Sequence, residues 1–147
     1  MKLQQATRYA IWATIELASR PKEQVRAQEL ARIYDISQHH LVRVLHALTR
    51  AGIVSSARGP GGGFTFCGNA KRLTLFDIIS LFETGWPGSE SDGVKNGTAL
   101  ARELGRVLNE VDRITQATLR SVTVQTIINN ARRAGASPAA AYLPKAS

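Results

Sequence analysis

The sequence predicts a mainly α-helical chain that carries one small β-hairpin and, further on, a long polar-backed helix. Three observations predict this. Apolar residues recur at helical spacing through the first fifty residues. The period then shortens to two on either side of a glycine-rich turn. From Leu100 onward, apolar residues fall at alternating intervals of four and three.

The first segment, LQQATRYAIWATIELASR, is apolar on most faces and holds neither Gly nor Pro, so it reads as a largely buried helix that Pro21 ends. In RAQELARIYD, Ala27, Leu30, Ala31 and Tyr34 share one helical face. A three-residue connection, DIS, leads into QHHLVRVLHALTRAG, where Ser37 can cap a helix and Gly52 can stop it. Leu41, Val44, Leu45 and Leu48 form the apolar stripe of that helix. Rotation by 100° per residue puts His39, Arg43, His46 and Arg50 on the opposite face. Two short helices, a tight connection and a basic outer face suggest a helix-turn-helix.

IVSSA and GFTFC are β-prone runs flanking RGPGG. Phe64 and Phe66 alternate with Thr65 and Cys67, as in a half-buried strand. A hairpin directly after the second helix of a helix-turn-helix is the element order of a winged helix. RLTLFDIISLFE gives a further helix, with Thr74 and Asp77 spaced as a capping box. Residues 85–97 are rich in Gly, Ser, Pro and charge and read as a loop. The long helix follows from Thr98, with Leu100, Leu104, Val107, Val111 and Ile114 as a heptad seam that predicts self-association. Thr123 is a cap for a short last helix, and the tail after it reads as poorly ordered. The expected organisation is a winged helix-turn-helix over 1–84, a loop over 85–97, dimerisation and C-terminal helices over 98–131, and a flexible tail over 132–147.

Charge separates the two halves. Residues 1–72 hold eleven Lys/Arg against four Asp/Glu, while residues 73–147 hold eight against seven. The positive field belongs to the predicted helix-turn-helix half and favours a polyanion, nucleic acid before anionic membrane. No run approaches a membrane span and no signal peptide is visible. One cysteine leaves no internal disulfide, which fits a reducing cytoplasm.

Catalytic signatures are absent. His39 and His40 are neighbours on a helix and diverge by about 100°, which is not metal spacing. The glycine loop lacks the Gly-Lys-Ser/Thr of a phosphate-binding loop and precedes a strand rather than a helix. It reads instead as a hairpin tip that needs positive φ angles and close approach to a surface. Arg58 there is suited to a groove or a phosphate. Cys67 is one ligand without a partner.

RYAIWATIELA, AQELARIYDISQHHLVRVLHALTRAGIVSSARGPGGGF and LTLFDIISLFE, in that order over about residues 1–84, resemble the IscR/NsrR-type winged-helix transcriptional regulators, the Rrf-two family. The junction AGIVSSARGPGGGF is the most specific part of the likeness. The resemblance implies a homodimeric, non-enzymatic repressor reading a palindromic operator in double-stranded DNA. Carried over, the DNA-facing positions are Arg8, Gln28, Ser37, Gln38, His39, His40, Arg43, Arg58 and Gly59. Members that sense iron–sulfur status carry three cysteines in the loop before the dimerisation helix, where this chain has none. No cofactor or metal is therefore expected; a redox or iron–sulfur role for Cys67 is the alternative. A second alternative is a module that binds a protein partner without touching DNA. The resemblance leaves the signal open among a protein effector, a small molecule and a single thiol. Trp86 is a candidate to line an effector pocket, with packing on the dimerisation helix as the competing reading.

Overall fold

The structure is a computed structural model and describes residues 1–85 and 97–135. Six helices and one hairpin follow in the order α1 (Gln5–Ser19), α2 (Ala27–Tyr34), α3 (Gln38–Arg50), β1 (Val54–Ala57), β2 (Gly63–Phe66), α4 (Leu75–Ser80), α5 (Ala99–Ser121) and α6 (Val124–Arg133). Mainly helical with one two-stranded antiparallel sheet, this is the predicted fold class.

The core forms where the predicted stripes meet. Leu17 of α1, Leu30 of α2 and Leu41, Leu45 and Leu48 of α3 are almost wholly excluded from solvent. Each such leucine contributes about 1.5–3 kcal/mol by leaving water. Asp35 turns the chain between α2 and α3 in the left-handed region, φ 50°, so α2 stops and α3 starts within three residues. Trp12 of α1 stacks on Tyr34 at the end of α2, centroids 5.4 Å apart and planes 6° off parallel. The Tyr34 hydroxyl donates to Glu16, 3.0 Å away, which also pairs with Arg20 at 2.7 Å.

Ser37 occupies the N-cap position of α3 with extended backbone, but its hydroxyl makes no capping hydrogen bond, contrary to expectation. Ser37 is exposed. At the other end Gly52 follows the helix with φ +74°, as the sequence suggests.

Val54 pairs with Phe66 and Ala57 with Gly63 across the hairpin. Phe64 and Phe66 both pack on the core and hold the hairpin down. A third segment joins the sheet that periodicity did not reveal: Val25, just before α2, forms an antiparallel bridge with Phe64.

α4 begins with the expected capping box, the Asp77 amide donating to Thr74 Oγ1 and the Thr74 amide donating to Asp77 Oδ2. It ends at Ser80, three residues before the predicted limit. Leu81 and Phe82 donate three residues back rather than four, which tightens the last turn and lays Phe82 on the core. Glu83 then reaches α1, accepting from the Gln4 amide at 2.9 Å and from Thr7 Oγ1 at 2.5 Å.

Thr123 caps α6 as predicted, and Thr98, where the long helical pattern starts, caps α5. A backbone bridge between Thr74 and Thr123 fixes the α5–α6 junction to the start of α4. α6 returns Val124 and Ile128 to the core. α5 is anchored near its C-terminal end, where Leu119 is its one buried residue and the Arg120 guanidinium lies 3.9 Å over the Phe76 ring.

Candidate nucleic-acid interface

α3 sits against α1, α2 and the hairpin, so its orientation is set from three sides. Its apolar stripe faces inward, which leaves Gln38, His39, His40, Arg43, His46 and Arg50 in solvent. The His39 and His40 rings are 5.9 Å apart and tilted by 52°. His46 lies against Phe64, centroids 6.3 Å apart, and so links the exposed face of α3 to the hairpin. Sequence reasoning put His46 on this face but gave it no site role.

Gln28 is exposed in the first turn of α2, and Ser37 is exposed just ahead of α3. Arg8 is exposed on α1, its guanidinium 5.4 Å over Trp12. That indole is itself clamped by Tyr34, so the arginine rests on a fixed aromatic surface. Arg58 and Gly59 lie in the tip between β1 and β2, both exposed. Gly59 has φ +90°, a conformation that a residue with a Cβ rarely adopts. Among the described residues, no carboxylate forms an ion pair with Arg8, Arg43 or Arg58. On α5, Glu103 pairs with Arg106 and Glu110 with Arg113, while Glu29 of α2 pairs with Arg20 at the end of α1.

The sequence missed the surroundings of this face. Tyr9, Ala6 and Gln5 of α1 and Phe82 after α4 line a cleft of about 400 Å³ beside His40, Arg43, Val44 and Arg50. No local spacing announces it, because its walls come from three separate elements.

The seam of α5 points outward. Leu100 is 84% exposed, Leu104 59%, Val107 45%, Val111 53% and Ile114 58%, and Leu108 beside them is 52% exposed. Together they make an exposed apolar stripe along a 23-residue helix.

Cys67 lies exposed at the end of β2, its thiol 3.3 Å from the Gly52 carbonyl. Among the described residues, no group of three His, Cys, Asp or Glu is placed to hold a metal ion. With one cysteine in the whole chain, a cluster bound by three thiolates does not fit this protein. The loop around Trp86 lies outside the described residues, as does the tail from residue 136. No helix among the described residues is long and apolar enough to cross a membrane.

A helix-turn-helix whose second helix presents a basic face with no ion pair among the described residues, followed by a hairpin with an arginine at its tip, defines a winged-helix DNA-binding regulator. Residues 3–130 match the family model of Rrf2, described as iron-dependent transcriptional regulator. The chain belongs to the Rrf2 family. It is 46% identical over 129 residues to the HTH-type transcriptional regulator BadM of Rhodopseudomonas palustris, covering 87% of this chain and 81% of that one. The solved structure of CymR, the global cysteine regulator of B. subtilis, superposes with a TM-score of 0.71 at 26% identity, over 88% of this chain and 98% of the other. IscR of T. potens has a TM-score of 0.75 at 22% identity, over 93% of each chain, and so shares the fold. These relatives are transcriptional regulators, not enzymes.

Proposed function

We propose that this protein is a homodimeric, sequence-specific repressor that reads an operator with two-fold symmetry. The observation that carries the reading is the front of α3, where Gln38, His39, His40 and Arg43 stand exposed on a helix fixed from three sides. Residues in the first turns of such a helix reach base edges in the major groove. Arg58 and Gly59 in the wing would lie along the backbone or in the adjacent minor groove, and Arg8, Gln28 and Ser37 would position the phosphates.

The apolar seam of α5 supports the dimer. Two copies packed along Leu100, Leu104, Val107, Val111 and Ile114 would bury what one copy exposes. In this organisation, 1–84 reads DNA and α5 sets the half-site spacing. A dimer seated over a promoter would repress by occupying it. The location that suits this role is the cytoplasm.

Selection of bound fragments from sheared genomic DNA, followed by footprinting at moderate fixed salt, tests the proposal. An inverted repeat with half-sites about one helical turn apart is the expected result. Binding of all fragments alike, with no protected site, would overturn sequence-specific reading and favour docking to another protein.

A further inference from the structure

The cleft between α1, α3 and the end of α4 has a composition that reading DNA does not require. One wall is apolar: Ala6, Tyr9, Val44 and Phe82. The rim holds three groups of the same sign or basic character, His40, Arg43 and Arg50. Among the described residues none of these three forms an ion pair. The Tyr9 hydroxyl accepts from Gln5 Nε2 at 2.6 Å, which leaves its own proton free to donate. A volume of about 400 Å³ falls within the usual range of small-molecule sites.

We propose that this cleft binds a small organic anion, a compact apolar body bearing one carboxylate-type group. The body would lie on Ala6, Val44 and Phe82, and the anionic group would meet Arg50, Arg43 and the Tyr9 hydroxyl. A bare phosphate would use the cations but leave the apolar wall wet, and a neutral hydrocarbon would leave the cations unpaired. His40 and Arg43 belong both to the cleft rim and to the front of α3. Occupancy therefore withdraws Arg43 from DNA and lowers operator affinity. That consequence rests on the DNA reading above, whereas binding in the cleft does not.

The test is a titration of the full-length, ¹⁵N-labelled protein with hexanoate, with hexanol and with inorganic phosphate at matched ionic strength. Hexanoate is expected to shift the amide signals of Ala6, Val44 and Arg50 saturably, and the other two probes are not. Ala6→Leu, which fills the cleft, and Arg50→Gln, which changes only an exposed side chain, should each weaken the titration about tenfold. Equal hexanoate binding in both variants would overturn the site, as would saturation of the same signals by hexanol or by phosphate. In a parallel arm, hexanoate should weaken operator binding by the wild type and not by Ala6→Leu. Operator binding that ignores a saturated cleft would overturn the antagonism. A wild type that binds hexanoate in the cleft but no operator would instead refute the DNA reading and leave the site standing.

Discussion

Val25 and Phe64 exchange two backbone hydrogen bonds, the Val25 amide to the Phe64 carbonyl at 2.9 Å and the Phe64 amide to the Val25 carbonyl at 2.8 Å. Val25 itself is fully buried. The pair ties the wing to the strand-like residue that enters α2. The hairpin is thus a three-segment sheet whose third member is one residue long. A two-stranded hairpin alone is marginal in water, so this bridge helps to hold the Arg58 tip in place.

Gly63 is the point where that bridge tolerates no side chain. A Cβ built there would stand 2.7 Å from the Val25 carbonyl oxygen and 2.9 Å from its carbon. Gly63→Ala should cost about 1–3 kcal/mol, the range for forced overpacking. Thermal unfolding would show a lowered midpoint, and an unchanged midpoint would mean the bridge is not formed in solution.

Glu83 clasps the start of α1 across 76 residues of sequence, and the Thr7 hydroxyl it accepts from belongs to a fully buried residue. Glu83→Ala strands that hydroxyl. Urea unfolding should report a loss of about 1–3 kcal/mol with an unchanged slope. Stability equal to wild type would show that water replaces the carboxylate at no cost.

Leu104→Glu with Val111→Glu places two charges on the exposed seam of α5. In one copy these positions face solvent, so the helix-turn-helix core should survive. Sedimentation equilibrium should report monomers for the double variant and dimers for the wild type. A double variant that remains dimeric would place the interface elsewhere.

Arg43→Ala and Arg58→Ala each remove an exposed cation that has no carboxylate partner among the described residues. Both should stay folded and weaken operator binding by about 1–3 kcal/mol where the arginine meets a base. Where it meets a phosphate, the loss should be similar for all sequences and the salt slope should fall by about 1. Unaltered affinity and salt slope in both variants would refute the assigned surface.

Cys67 has an exposed thiol beside a backbone carbonyl and no companion ligand set among the described residues. Protein purified without oxygen should be colourless, and Cys67→Ser should bind operator within about twofold of wild type, since a lone thiol supplies one ligand. Stoichiometric iron and sulfide lost in that variant would restore the cluster reading.

Local rules placed the elements because the information they use is local. The stripe Leu41, Val44, Leu45 and Leu48, the capping box of Thr74 and Asp77, and the cap Thr123 each depend on neighbours three or four residues away, and each formed as spaced. The charge asymmetry and the motif order were equally plain in the sequence. Ser37 shows the limit of such rules, since a capping residue at the right position did not cap. The Val25–Phe64 bridge, the Glu83 clasp and the cleft joining Tyr9, Arg50 and Phe82 bring together residues dozens of positions apart. Backbone pairing one residue long and side chains converging from three elements leave no periodicity to read. The sequence by itself determined what the segments are and which faces they bury. The tertiary structure decided how the wing is held, what the basic helix stands beside, and that the α5 seam is left open in a single copy.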